Sequence, residues 1–201
     1  MKLTLSKNSK SYEVDLNSAT SLAIPYNYNG EQPNFYNVPK GEASPLLLGS
    51  FTGKVKNGLG CNVMVLNQNV HCTGTHTECA GHILEDDIFI HDVLTPEFIL
   101  THLISVSPIH WSETKERYHC NVQENDRVIT REMIKEHVTH SIDGLVLRTL
   151  PNSEDKLTRK YHTRNTPFFT TEAIHFINDL GVIHWVVDSP TVDKYDDGVT
   201  T

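Results

Sequence analysis

Residues 170–188, TTEAIHFINDLGVIHWVVD, constrain the fold more than any other stretch. Ala173, Ile174, Ile177 and Leu180 recur at helical spacing behind a threonine, and Gly181 stands where a C-terminal cap belongs. The apolar run 182–188 then reads as a buried strand that ends in Asp188. The same order occurs just before it. TREMIKEHV (130–138) predicts a helix with Thr130 as N-cap and with Met133, Ile134, His137 and Val138 on one face. GLVLRT (144–149) predicts a strand. Helix, strand, helix, strand in succession implies an α/β arrangement whose sheet is at least partly parallel.

The first half reads differently. YEVDL (12–16) alternates in strand fashion after the turn-like SKNSK, and LISVSPI (103–109) is a second strand candidate, ended by Pro108. Residues 17–50 are rich in Pro, Asn and Gly and predict a long loop with short extended pieces. That loop either folds over a site or is an irregular surface segment. Phe35 and Tyr36 within it are candidates to close over an aromatic substrate. NVMVL (62–66) reads as a short buried strand leading into HCTGTHTECAGH (71–82).

That twelve-residue segment gathers three histidines, two cysteines and a glutamate. Cys72, His76, Glu78 and His82 are separated by even numbers of residues, so in an extended chain they project to one side. A thiolate, two imidazoles and a carboxylate suit a divalent metal. Such a cation would acidify water into a nucleophile, and a neighbouring carboxylate or imidazole would take the proton. Three other readings compete: polar loop residues with no shared role, a structural zinc site from Cys72, His76, Cys79 and His82, or a nucleophilic Cys72 or Cys79 with a nearby histidine.

The segment Cys72–His82 resembles the signature H-x-G-T-H-x-D-x-P-x-H of the metal-dependent cyclase/hydrolase family, which includes kynurenine formamidases and isatin hydrolases. Gly74, Thr75, His76 and His82 match. Cys72 stands where the signature has its first histidine, Glu78 replaces aspartate and Ala80 replaces proline. His71, one residue earlier, is an alternative first ligand. GLVLRTLPN (144–152), TPFFTTEAIHFINDLGV (166–182) and WVVDSPTVD (185–193) extend the resemblance.

The resemblance implies a mixed α/β fold with a β-barrel-like sheet core flanked by helices, one domain over residues 1–201, and a homodimer or higher homo-oligomer. It implies Zn²⁺ or Mn²⁺ held by Cys72, His76, Glu78 and His82, of which the mixed nitrogen, oxygen and sulfur donors favour zinc, and hydrolysis of an amide carbon–nitrogen bond in a small molecule, as in an arylformamidase. His82, assisted by Glu78, is the expected proton-transfer residue. The family's later His and Glu ligands have no counterpart before Thr201, so the chain is expected to lack the family's C-terminal segment. A homologue that binds metal or ligand without turnover, and a thiol-dependent enzyme, are the alternatives.

Composition narrows the partners. The net charge of −8 opposes a phosphate-binding surface, so nucleic acid is not expected. No apolar run is long enough to span a bilayer and no signal-peptide pattern opens the chain, which predicts a cytoplasmic protein with free thiols at Cys61, Cys72, Cys79 and Cys120. Trp111 and Trp185 read as core or interface residues, and Asp188 and Asp193 as turn caps or ligand contacts at the end of the last strand. The remaining histidines show no ligand spacing.

Overall fold

The computed structural model describes residues 1–7, 9–57, 60–95, 98–161 and 166–198. Asn8 in the expected N-terminal turn and His162 fall outside them. The elements run β1 (Lys2–Lys7), β2 (Lys10–Asp15), β3 (Asn34–Phe35), β4 (Glu42–Pro45), β5 (Leu47–Leu48), β6 (Phe51–Thr52), β7 (Met64–Asn67), α1 (Val70–Thr73), α2 (Ile90–Val93), β8 (Thr101–Val106), β9 (Ile109–His110), β10 (Arg127–Ile129), α3 (Arg131–Lys135), β11 (Gly144–Thr149), β12 (Lys160–Tyr161), β13 (Phe168–Phe169), α4 (Thr171–Asp179) and β14 (His184–Val187). Short 3₁₀ turns join several of them.

The core forms where the helix–strand order predicts it. β11 lies between β8 and β14, and both pairings are parallel. Ile104, Val106, Leu145 and Leu147 from the strands meet Ile134 and Val138 on one side of the chain order and Ala173, Ile177 and Leu180 on the other. All are buried, and each fully buried Val, Leu or Ile side chain contributes roughly 1.5–3 kcal/mol. α3 and α4 pack on each other over this sheet.

Local chemistry sets the helix ends. The Thr170 hydroxyl accepts from the Ala173 amide at 3.1 Å, and the Thr130 hydroxyl accepts from the Met133 amide at 3.4 Å. Gly181 ends α4 with φ of +79°, a left-handed conformation that favours glycine. α3 is shorter than the predicted 130–138. Its last turn continues only as single bonds from the His137 and Val138 amides to the Ile134 carbonyl, so Val138 is buried whereas His137 faces solvent.

Two expectations need correction. Residues 62–66 do not form a buried strand. β7 pairs only with β4, and Met64, Val65 and Leu66 are all exposed, because no second layer covers this ribbon among the described residues. The barrel-like core does not appear either. The described residues form six separate sheets of two or three strands and none closes on itself. Mixed α/β architecture is what they show. No helix is long and apolar enough to cross a membrane among the described residues.

Candidate metal centre

β7 delivers the chain to Asn69, whose carbonyl accepts from the Cys72 and Thr73 amides at 3.3 and 3.1 Å and so winds α1 as a single turn. The alternation expected across 71–82 therefore does not occur. A helical turn at 70–73 and a 3₁₀ turn at 80–82 bracket a short extended stretch. In a helix successive side chains diverge by about 100°, so His71 and Cys72 point apart.

The long N-terminal loop clamps the centre of the segment. Thr73 is 1% exposed, and its hydroxyl bonds to the Asn69 carbonyl at 2.6 Å and to the Tyr26 hydroxyl at 2.5 Å. The Ile24 amide donates to the Thr75 hydroxyl at 3.0 Å. Gly74 lies flat against Tyr26, where an added Cβ would sit 2.6 Å from a ring carbon. The Thr-Gly-Thr interruption thus fastens the segment to residues 24–26. A loop read as either functional or merely irregular supports the site directly.

Three imidazoles converge on one carboxylate oxygen. Glu78 Oε2 lies 3.2 Å from His71 Nδ1, 3.4 Å from His76 Nε2 and 3.8 Å from His82 Nε2. The His71 ring stacks on His82 with centroids 4.3 Å apart and meets His76 edge-on at 5.0 Å. Donor atoms of His71, Glu78 and His82 all lie within 4.8 Å of one another, and no other such group of three gathers among the described residues. His76 Nδ1 sits 3.0 Å from the Gly74 carbonyl. A carbonyl only accepts, so that nitrogen carries the hydrogen and Nε2 of a neutral ring keeps its lone pair towards Glu78. A lone pair and a carboxylate oxygen that close attract each other only through a proton or a cation between them.

Of the four residues expected to share a cation, Glu78 and His82 lie in the gathered set, His76 touches Glu78, and Cys72 lies outside that set. His71 occupies the place the alternation argument gave to Cys72. Asn69 stands at the N-cap position of the α1 turn, but only its carbonyl bonds to that turn and its side chain makes no cap. Cys72 is half-buried, and burial pushes its thiol pKa up. Cys79 turns its thiol towards the Ile88 carbonyl, 3.6 Å away.

Aromatic residues flank the centre. β3 packs against α1. Phe35 is 5% exposed and its ring lies 4.1 Å from Tyr36 and 5.5 Å from Tyr195. Tyr36 is exposed, with φ of +59°, and burial together with the charges of Tyr195, Asp197, Cys72 and Asp193 raises its hydroxyl pKa. Of the pair expected to face a substrate, only Tyr36 has free surface. Asp188 binds Thr149 and Lys156, and Asp193 accepts from the Tyr118 hydroxyl at 3.2 Å. Trp185 packs edge-on against Phe169 at 4.7 Å in the core.

No curated protein matches the chain. The family model described as "Putative cyclase" matches residues 14–194, a span that contains the clamped loop, the imidazole–carboxylate centre and the parallel sheet. The chain therefore belongs to the cyclase family that this model describes, which includes kynurenine formamidase-like proteins.

Proposed function

We propose that the protein is a metal-dependent hydrolase of an amide carbon–nitrogen bond in a small molecule. The observation that carries this reading is the convergence of His71, His76 and His82 on one oxygen of Glu78. Membership of the cyclase family supports it. Imidazole nitrogen and carboxylate oxygen are ordinary ligands for zinc, and the absence of a thiolate from this set also leaves manganese acceptable.

His71, Glu78 and His82 would hold the cation, because their donor atoms already share one small volume. Three protein ligands leave an open position, the mark of a catalytic site. A bound divalent cation supplies Lewis acidity at the amide carbonyl and lowers the pKa of water there. His76, with its tautomer set by the Gly74 carbonyl, accepts the proton at Nε2 as water attacks and returns it to the departing amine. Tyr36 offers its ring to an aromatic substrate beside α1.

A second assignment has its own support. A ligating histidine usually gives its other N–H to a carbonyl or carboxylate, as His76 does to Gly74. In that case His76 joins His71 and Glu78, and His82 moves the proton, the role its sequence position suggests. His76→Ala and His82→Ala separate the two. The variant that keeps its metal but loses turnover marks the proton-transfer residue.

The reading is tested by metal analysis and by assaying N-formyl aromatic amines and cyclic amides before and after chelation. Activity that disappears with the metal and returns with Zn²⁺ or Mn²⁺ is expected. Full activity after exhaustive chelation would indicate a thiol enzyme. Bound metal without turnover across the amide panel would indicate a binding protein. Assembly into a homo-oligomer belongs to the same proposal, with support from the exposed apolar ribbon at Met64–Leu66, and light scattering of the purified protein measures it.

A further inference from the structure

We infer that Lys156, acting through Asp188, is a positioning residue for the His71–Glu78–His82 centre, which makes this inference rest on the metal reading above. Lys156 is almost fully buried, with its side chain 11% exposed. Its ammonium group donates to the Thr149 carbonyl at 3.1 Å, the Thr149 hydroxyl at 2.8 Å and Asp188 Oδ2 at 2.7 Å. Asp188 also receives the Thr149 hydroxyl at 2.9 Å and the Thr149 amide at 3.0 Å. Every member of the cluster is satisfied, and it sits at the carboxyl ends of the parallel neighbours β11 and β14.

From this anchor a continuous path reaches the centre. Lys156 belongs to the 3₁₀ turn Glu154–Leu157, which leads into β12. β12 pairs in parallel with β3, Lys160 opposite Asn34 and Tyr161 opposite Phe35, and the Asn34 amide donates to the Arg159 carbonyl at 2.9 Å. β3 packs on α1, which carries His71. A second arm leaves the same strand end. The segment after Asp188 reaches Tyr195, whose ring meets both Phe35 and Tyr36. Both arms hold β3, so α1 is positioned from the end of β14.

Buried ion pairs are often no more stabilising than apolar side chains of the same volume, and their best-attested use is to fix one arrangement among several. Lys156 fits that use. It selects the position at which residues 154–161 dock, and the centre inherits that position.

The test compares Lys156→Met and Lys156→Arg with the wild-type chain by residue-resolved amide hydrogen exchange and by zinc titration. In Lys156→Met, exchange at the Asn34 and Thr73 amides is expected to quicken by about tenfold or more while the β11 amides stay protected, since local openings can occur without global unfolding. Zinc affinity is expected to fall by roughly 10–100-fold, the range seen when a ligand's supporting contacts are lost. Lys156→Arg should recover part of both. Unchanged Asn34 and Thr73 exchange, uniform loosening of the whole chain, or unchanged zinc affinity would each overturn the inference. If zinc binds neither protein while Asn34 and Thr73 still loosen selectively, the mechanical link stands and the metal reading fails. Should Lys156→Met not fold, Asp188→Asn, which keeps an acceptor for Thr149, is measured the same way with the same expectations.

Discussion

Gly81→Ala tests how the chain aims His82. Gly81 lies in the 3₁₀ turn Ala80–His82. A Cβ there would sit 3.0 Å from the Ile88 carbonyl carbon, 3.2 Å from Ile88 Cβ, and closer still to the Ile88 carbonyl oxygen. Carbon and carbonyl oxygen ordinarily stay about 3.3 Å or more apart, so the backbone must move by on the order of 1 Å. No flexible side-chain tip can absorb the shift, because the obstacle is backbone. Overpacking of this kind costs about 1–3 kcal/mol. For a chain of 201 residues that lowers Tm by roughly 2–12 °C. The larger effect falls on the neighbouring residue. Metal–ligand distances tolerate about 0.2 Å, so displacing His82 by several times that should weaken zinc at least tenfold. Differential scanning calorimetry of the metal-free protein and a competitive zinc titration read the two effects separately. A lowered Tm with unchanged zinc affinity would remove His82 from the ligand set and favour the assignment in which it moves the proton. An unchanged Tm would mean that the turn does not press on Ile88.

Other substitutions check neighbouring parts of the account. His71→Ala should lower zinc affinity about 100-fold or more, at or beyond the upper end for lost supporting contacts, whereas Cys72→Ser should leave metal content unchanged; the reverse pattern in metal analysis would return Cys72 to the ligand set. Phe169→Ala empties a core site that is 1% exposed and packs against Trp185, and should destabilise the fold by about 3–5 kcal/mol in denaturant titration. Thr170→Ala removes the cap of α4 and a hydroxyl donor to Glu116, so a loss of about 1–2 kcal/mol is expected by the same method. Tyr36→Ala should raise KM for an aryl amide with kcat preserved, and an unchanged KM would separate Tyr36 from the substrate.

The sheet and helices of the second half were legible because their signals are local. Thr130 and Thr170 cap in the expected way, Gly181 takes the left-handed conformation, and the apolar runs at 144–149 and 184–187 pair in parallel. The crowding of ligand-type residues at 71–82 was equally plain. Which of them converge was not, because even spacing points to one face only in an extended chain and Asn69 winds the first residues into a turn. A one-residue difference in local conformation brings His71, the alternative first ligand in the sequence, into the gathered set and leaves Cys72 outside it. The support from Tyr26, Ile24 and Lys156 was hidden for a different reason: each acts across long sequence separation, through contacts that no local pattern encodes. NVMVL misled because an apolar run shows appetite for burial, and whether a covering layer exists is a property of the whole fold.

The most direct measurement is X-ray absorption at the zinc edge on protein loaded with one equivalent of the metal. Nitrogen and oxygen neighbours at about 2.0–2.2 Å, no sulfur at about 2.3 Å, and loss of the imidazole signature in a His71→Ala/His82→Ala double variant are expected. A sulfur neighbour at that distance, or zinc that fails to bind the wild-type chain, would contradict a centre built on His71, Glu78 and His82.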